Sequence, residues 1–400
     1  MGRVVLHVGL PKTGTSFLQG VLRENDSLLA GHGLHLPAGR PQDHFAAVLF
    51  LTDRSASWGR SPQAGRRAWR QLLAALPSEP GAVTVLSSET LCLARPRHVR
   101  RVLTDLAEHG VEQVDVVVTV RDLARQLPAE WQEGVKHGRR GSYPAFLRAV
   151  LADPAELTDP AAGQRHRRFW AAQDPVAVLD RWAADLPADR VHCVVSPPSG
   201  AAPDELWRRF ATALGLADEV AAAVVIPEAQ VNASLGAVQL EVLRRVNRRY
   251  TRRGREQGYG TVAKRLYAGR LLRGQQGTRL VLPAGYLDVA ATVADRWVEG
   301  ITTRGWRVVG DLAELRPVVP GDTEAPRLPR VTPAAMLASS VDATAGLLEE
   351  VERLTAENAA LRRHGADEPL PAAGVPAATA TVVRRGVSAV RSRVGRDGAA

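Results

Sequence analysis

Residues 3–19 read RVVLHVGLPKTGTSFLQ, and this segment decides how the rest of the chain is interpreted. Residues 4–8 are mostly valine and leucine, a short apolar run that predicts a buried strand. Residues 9–14 break the run with two glycines and a proline, and apolar residues then recur at helical spacing over 15–22. A strand, a glycine loop and a helix in this order place loop and helix N–H groups around one anion.

Lys12 adds a full positive charge to this predicted anion cradle, and Thr13, Thr15 and Ser16 add hydroxyl donors. In a nucleotide-triphosphatase loop the lysine directly follows the second glycine and precedes Ser or Thr, which holds magnesium. Here Lys12 precedes Gly14 by two residues, so we expect it inside the loop, beside the terminal group of the anion. The alternative is a plain glycine turn between strand and helix.

The sequence Pro-Lys-Thr-Gly-Thr-Ser after an N-terminal strand resembles the 5′-phosphosulfate loop of PAPS-dependent sulfotransferases, where PAPS is 3′-phosphoadenosine 5′-phosphosulfate. The resemblance implies transfer of a sulfuryl group from PAPS to a hydroxyl or amine of an acceptor, with release of adenosine 3′,5′-bisphosphate. It implies PAPS as co-substrate and no metal. The residues that it assigns to PAPS binding in this loop are Pro11, Lys12, Thr13, Gly14, Thr15 and Ser16.

Composition supports an anionic ligand. The chain has 52 Lys plus Arg and a net charge of +10, which favours anionic partners. Only Lys12, Lys136 and Lys264 are lysine, so one of three lysines lies in the loop, where a compact charge fits better than the wide guanidinium fork. No nucleic-acid-binding motif is present. We therefore expect a small-molecule or carbohydrate acceptor and no nucleic acid.

The predicted compartment is the cytoplasm. Residue 3 leads directly into a strand rather than into the apolar core of a signal peptide. No apolar stretch approaches the length of roughly 20 residues that a membrane span needs. Cys92 and Cys193 have apolar neighbours and are expected to be core residues rather than a disulfide or metal pair.

Two residues are candidates for the general base. Residues 83–86 predict a second strand, and Glu89 follows it closely, so the loop and Glu89 should meet at the carboxyl ends of the strands. The other candidate is His44, in a segment that we predict to be rich in loops, residues 28–67. The alternative for Glu89 is an acid near a helix start that the helix dipole favours, and the alternative for His44 is a surface or helix-capping histidine. The sequence leaves this choice open.

A third predicted strand, residues 114–120, runs directly into Arg121 and Asp122. In the family that the loop resembles, an arginine at this place holds the 3′-phosphate, and a serine about two helical turns later shares it. Arg121 matches, but the serine position falls near Pro128, where we expect a helix to begin. The alternative for Arg121 is a salt bridge to Asp122. The residues that can replace the missing serine are Arg125, Gln126 and Ser142.

Strand and helix signals alternate along the chain, which predicts a three-layer α/β/α fold around a mainly parallel sheet. The helical signals cover residues 66–76, 99–108, 143–151, 205–214, 234–253 and 286–304, and further strands are expected at 191–195 and 306–309. We predict a sulfotransferase-like domain over 1–316, a proline-rich linker over 317–333, a helical extension over 334–364 and a disordered basic tail over 365–400.

The extension carries a heptad pattern over 347–361. Its apolar positions predict a short coiled coil and a homodimer, or else a helix that packs on its own domain. Asn358 lies where a buried polar residue would fix the register of a parallel pair. An apolar stripe with arginines over 383–394 is typical of a membrane-surface helix, although a solvated tail is the simpler interpretation. The heptad residues are Leu347, Val351, Leu354, Asn358 and Leu361.

Two rival functions are also consistent with this pattern. The first is a magnesium-dependent phosphotransferase or nucleotide hydrolase with a P-loop, in which Asp122 would help to hold the metal. The displaced position of Lys12 argues against it. The second is a non-catalytic coiled-coil scaffold, in which residues 334–400 bind the partner and the loop of residues 9–14 is vestigial.

Overall fold

Six strands form one sheet in which every neighbouring pair is parallel. The strands are β1 (Arg3–His7), β2 (Leu34–His35), β3 (Val83–Ser87), β4 (Gln113–Val120), β5 (Val191–Val195) and β6 (Arg307–Val309). Their order across the sheet is β2-β3-β1-β4-β5-β6. β1 is therefore central, and the carboxyl ends of β3 and β4 flank the segment that follows it.

The computed structural model describes residues 2–367 except positions 38, 78 and 80 and the segments 152–163, 228–233, 251–257 and 319–325. The chain divides into two compact units, Met1–Ser340 and Val341–Ala400. The described helices of the first unit are α1 (Thr15–Glu24), α2 (Asp26–Gly31), α3 (Pro41–Leu51), α4 (Pro62–Ala74), α5 (Pro96–Glu108), α6 (Leu123–Lys136), α7 (Tyr143–Val150), α8 (Gln164–Gln173), α9 (Pro175–Ala183), α10 (Glu205–Leu214), α11 (Asp218–Ala223), α12 (Ala237–Arg249), the π-helix α13 (Tyr259–Leu272) and α14 (Leu287–Thr303). Helix α15 (Pro333–Asp367) begins in the first unit and continues into the second.

Helices cover both faces of the sheet, so the fold is the predicted three-layer α/β/α sandwich. On one face, residues of α1, α10 and α11 pack with Val5, Val85 and Val117 into a buried cluster that includes Trp207 and Phe210. On the other face, α9 packs against β4 and α5 packs against α9. The central strands are rich in buried valine and leucine, as expected for parallel strands that are covered on both faces.

The segment 28–67 is largely helical, and our prediction that it is rich in loops is wrong. Its prolines are the reason. Pro41 and Pro62 stand at the first positions of α3 and α4, where a helix needs no N–H donor. Ser61 caps α4 by accepting a hydrogen bond from the Ala64 N–H.

Two predicted helix boundaries are also wrong. Helix α6 begins at Leu123 rather than at Pro128, because the Asp122 side chain accepts a hydrogen bond from the Arg125 N–H and caps the helix one turn and a half earlier. Pro128 lies inside the helix. Helix α12 begins at Ala237 after Gly236, not at residue 234.

The first unit extends beyond the predicted domain boundary, to Ser340. Gln275 holds the start of α15 there: its Nε2 donates to Ser339 O at 3.0 Å, and Ser339 Oγ donates to Gln275 Oε1 at 2.5 Å. In the second unit, the described part of α15 leaves its heptad positions Val351 and Leu354 exposed. Residues 365–367 of the predicted basic tail are helical and belong to α15, and the rest of that tail, including the stripe at 383–394, lies outside the described residues. Among the described helices, none is both long and apolar enough to cross a bilayer.

Candidate functional site

The loop between β1 and α1 is fixed to the carboxyl end of β4. Leu10 N–H donates to Thr119 O at 3.1 Å, and Thr119 N–H donates to Gly9 O at 2.6 Å. Gly9 and Gly14 have φ of 109° and 104°, and Lys12 has φ of 66°. A non-glycine residue in the left-handed region costs energy and persists only where the surroundings enforce it, often at functional sites.

The hydroxyls of Thr13 and Thr15 do not point out of the loop as expected. Both donate to Leu10 O, at 2.6 and 3.2 Å, so they shape the loop from within. The Ser16 side chain is exposed. The threonines are buried, so their positions depend on packing that the motif alone does not reveal.

The N-terminus of α1 keeps its backbone donors available. The first hydrogen bond across this helix start runs from Leu18 N–H to Gly14 O, at 3.1 Å. Gly14 has no side chain with which to cap the helix. The N–H groups of the first turn therefore have no acceptor within the helix, and they point towards any anion bound at the loop.

Lys12 lies in a cluster of charged side chains from distant parts of the chain. Its Nζ donates to Glu133 Oε2 at 2.9 Å, and Lys264 Nζ donates to Glu133 Oε1 at 3.2 Å. The hydrogen bond from His137, and next the charge of Lys12, hold the pKa of Glu133 well below its usual range although burial opposes this. Burial lowers the pKa of Lys136, and the nearby positive charges of Lys12 and Lys264 lower it further. Lys12 and Lys264 therefore meet at Glu133, and Lys136 lies near enough for their charges to act on it.

Two more glutamates lie close to Lys12. A Cβ on Gly9 would lie 3.2 Å from Glu89 Cα, so the segment after β3 packs directly on the loop. Burial raises the pKa of Glu89, although the charge of Lys12 opposes this. Burial likewise raises the pKa of Glu130 to about 7, against the opposing charge of Arg139. A carboxylate with a raised pKa beside a cation is suited to accept a proton near neutral pH.

Arg121 lies against the loop, as its place after β4 predicts. Its Nη1 donates to Lys12 O at 3.2 Å. Burial lowers the pKa of Arg121 to about 10, and the charge of the nearby Arg125 lowers it further. Asp122 pairs with Arg125 while it caps α6. Two guanidinium groups thus share the edge of the loop, and the Asp122 carboxylate is already engaged.

The three candidates for the missing serine lie in different places. Arg125 lies beside Arg121, and Gln126 Nε2 donates to Pro11 O at 3.3 Å. Ser142 instead caps α7, where its Oγ accepts a hydrogen bond from Ala145 N–H. Ser196, which we did not predict, donates from Oγ to Thr13 O at 2.8 Å.

His44 does not join the charged cluster. It lies in α3 and lines a cavity together with Gln19, Ser87 and Ser88, whereas Lys12 and Glu89 are not part of that lining. The structure therefore separates the two base candidates and brings only Glu89 to Lys12.

A buried chain of hydrogen bonds connects that cavity to the loop. Ser87 Oγ lies 2.8 Å from His7 Nδ1, and His7 Nε2 lies 3.4 Å from Thr119 Oγ1. Thr119 Oγ1 lies 2.5 Å from Thr13 Oγ1. Burial lowers the pKa of His7 to about 3, so the imidazole is neutral at physiological pH. The chain crosses the carboxyl ends of β3, β1 and β4.

Sequence reasoning missed Glu130, Glu133, Lys264 and His7. One signal pointed towards Lys264: lysine is so scarce in this chain that each of the three was a candidate. Glu130 and Glu133 share a helix with ordinary surface spacing, and His7 lies within a valine strand that reads as core. Within the described ranges, no group of three or more His, Cys, Asp or Glu side chains is arranged to hold a metal ion.

No family model matches the chain, and no curated protein matches it in sequence. Among solved structures, the chain is similar to a sulfotransferase from Alicyclobacillus acidocaldarius, at 15% sequence identity and a TM-score of 0.32. The match covers 53% of this chain and 81% of that one.

Proposed function

We propose that this chain is a sulfotransferase that moves the sulfuryl group of PAPS to a hydroxyl or amine of an acceptor and releases adenosine 3′,5′-bisphosphate. The observation that carries the proposal is the loop of residues 9–14. It combines the uncapped start of α1 with Lys12, and the Arg121 guanidinium lies against its backbone. Backbone donors, a point charge and a guanidinium fork suit one ligand with several anionic groups.

Proton transfer is assigned to Glu89. The acceptor oxygen or nitrogen forms a bond to sulfur while the bond between sulfur and the bridging oxygen of the 5′-phosphate breaks. The acceptor proton passes to the Glu89 carboxylate, whose raised pKa suits it to hold that proton. Lys12 and the first-turn N–H groups of α1 stabilise the charge that grows on the bridging oxygen.

The 3′-phosphate is assigned to Arg121 together with Arg125. The two side chains lie near each other, so a phosphate bound between them would meet two guanidinium charges. Arg125 is thus the candidate that best replaces the missing serine. Its fork also donates to Pro197 O at 2.7 Å, which holds it at the carboxyl end of β5.

The magnesium-dependent alternative receives little support. Asp122, the acid that would hold the metal, accepts from the Arg125 N–H and pairs with the Arg125 side chain. A magnesium ion would have to displace both interactions. Lys12 also pairs with Glu133 within the loop cluster rather than standing on the first turn of α1.

We also propose that two copies of the chain associate through α15. Val351, Leu354 and Leu361 are exposed, and they repeat at heptad spacing with Asn358 between them. Side by side in a parallel pair, Glu357 of one helix faces Arg362 of the other, which is favourable. An antiparallel pair would instead bring glutamates together. The proposed occupant of this face is therefore a second copy of the chain in parallel orientation.

The test is calorimetric titration with adenosine 3′,5′-bisphosphate in the absence of magnesium. Wild type should bind, and Arg121→Ala should bind at least tenfold more weakly. Lys12→Ala should reduce the rate of sulfuryl transfer from PAPS more than it reduces bisphosphate affinity, because its charge acts most strongly in the transition state. Arg208→Ala is a matched control, since this arginine is on the surface of α10 and pairs with Asp204.

Two outcomes would overturn the proposal. Absence of bisphosphate binding, with ATP binding only when magnesium is added, would favour phosphoryl transfer. Normal bisphosphate binding without any transfer, together with loss of a partner protein in Leu354→Asp, would favour the scaffold.

A further inference from the structure

A cavity of about 290 Å³ lies beside the outer edge of β3. β2 is only two residues long and pairs with Val83 and Thr84. Among the described strands, none continues β2 along the rest of β3, and residues 85–88 line the cavity instead. Helices α1, α3, α4 and α5 supply the other walls. We call this space the edge cavity.

The walls of the edge cavity are apolar. Its inner part is formed by buried side chains: Ala47, Leu51, Trp69, Leu72, Leu91 and Val102. The indole N–H of Trp69 donates to Asp105 Oδ2 at 2.6 Å, so this ring has no donor left for a ligand. Arg23 and Asp26 add one charge of each sign to the lining. A ligand that fills this space must be mostly apolar and uncharged.

One end of the edge cavity is polar. Ser87 and Ser88 lie there with Gln19, whose Nε2 donates to Ser87 O at 3.2 Å and to Ser87 Oγ at 3.1 Å, and His44 also belongs to the lining. Apolar walls with a few convergent polar groups are typical of small-molecule sites, and the volume is at the lower end of their range. The polar groups are suited to orient a single hydroxyl.

The polar end also adjoins the loop site. Glu89 directly follows Ser88 and packs on Gly9. Gln19 lies one turn beyond the start of α1. The hydrogen-bond chain through His7 connects Ser87 to Thr13 across the central strands. A hydroxyl held at this end is therefore next to the segment that carries the proposed base.

We infer that the edge cavity is the acceptor site and that the acceptor is a small uncharged apolar alcohol or phenol rather than a carbohydrate. This inference rests on the proposed function. In the reaction the acceptor O–H loses its proton to Glu89, the oxygen forms a bond to sulfur, and the sulfur–oxygen bond to the 5′-phosphate breaks. The products are a sulfate ester and adenosine 3′,5′-bisphosphate, and no oxidant or reductant is needed.

The test measures binding of 2-naphthol by its own fluorescence, with and without saturating adenosine 3′,5′-bisphosphate, on the full chain. Val48→Phe and Ala47→Met reduce the volume of the edge cavity from the α3 wall. Val220→Phe is the matched control, because this partly buried valine packs in the cluster on α11 and does not line the cavity. We expect both cavity variants to weaken 2-naphthol binding at least tenfold and to leave bisphosphate affinity unchanged. D-Glucose should not compete.

The outcomes separate the inference from the proposed function. If bisphosphate binds but 2-naphthol does not, or binds equally well to wild type and to both cavity variants, the acceptor inference is wrong while the proposed function stands. Competition by D-glucose would also overturn it, in favour of a carbohydrate site. If 2-naphthol binds in the edge cavity but bisphosphate does not bind, the proposed function fails, and the edge cavity is not an acceptor site.

Discussion

Replacing Glu133 with Gln should strengthen the binding of anions at the loop. Glu133 pairs with Lys12 at 2.9 Å and with Lys264 at 3.2 Å, so one carboxylate forms ion pairs with two lysines. An anionic ligand that uses Lys12 must compete with this carboxylate. Gln keeps the shape and one acceptor oxygen but removes the charge, which makes Lys12 easier to release.

The size of the effect follows from burial. The side chains of Lys12 and Glu133 are 27% and 26% exposed, which lies between a surface pair and a buried one. Exposed pairs contribute about 0–1 kcal/mol, and hydrogen bonds to charged groups about 1.5–3 kcal/mol. We expect a net gain of about 1 kcal/mol in ligand binding, equivalent to roughly a fivefold lower Kd. Without ligand, the lysines lose their counter-charge, and the free energy of unfolding should fall by a similar amount.

Calorimetry with adenosine 3′,5′-bisphosphate at low and high salt measures the first effect, and urea unfolding measures the second. The gain in affinity should shrink as salt screens the charges. Glu241→Gln is the control, since Glu241 pairs with Arg244 and Arg245 on α12. Weaker bisphosphate binding by Glu133→Gln would refute the reasoning, because it would mean that the carboxylate positions Lys12 for the ligand instead of competing with it.

Four further predictions follow from single side chains. The pKa of Glu130 is raised to about 7, so between pH 4.5 and 7 the folded chain keeps a proton that this carboxyl has already lost in the unfolded chain. The free energy of unfolding should therefore fall by about 2 kcal/mol between pH 5 and 8. Urea unfolding of Glu130→Gln should show a smaller fall over the same range. Burial opposes ionisation of Asp115, but the nearby His192 and the hydrogen bond from Arg3 hold its pKa low. Asp115→Asn should therefore cost about 3 kcal/mol in thermal or urea unfolding near pH 7, and wild type should lose this stabilisation as acid protonates the carboxylate. Arg125→Ala should weaken adenosine 3′,5′-bisphosphate more than adenosine 5′-phosphate in calorimetry, and equal weakening would contradict the assignment of the 3′-phosphate. Leu354→Asp should convert a dimer to a monomer in sedimentation at unchanged transfer activity, whereas a monomeric wild type would remove the proposed pairing.

The central strands could be predicted because their signal is local. β1, β4 and β5 are buried on both faces and appear in the sequence as valine-rich runs with few polar residues, within one residue or so of their true bounds. β2 has only two residues and gives no run at all. α3 was missed, and α4 was predicted only from residue 66, because Pro41 and Pro62 carry the same letter at the start of a helix as they do in a loop.

The candidate site was predictable only where it follows strand ends. Lys12, Glu89 and Arg121 each lie within a few residues of the end of a central strand, and the topology of a parallel sheet brings such residues together. Glu133 and Lys264 are 131 positions apart in the chain and meet only through the packing of α6 and α13. Whether Thr13 points inward or outward likewise depends on its contacts with Leu10 and Thr119, which no spacing rule encodes.

The convergence of Lys12, Lys136 and Lys264 has a practical meaning for chemical labelling. These are the only side-chain amines in 400 residues. A reagent that modifies amines but not guanidinium groups therefore has all its side-chain targets in the charged cluster around Lys12. The extent of side-chain modification then reports on the accessibility of that cluster alone. Protection by a bound anion can be followed by mass in the unaltered chain, without introducing a probe or a substitution.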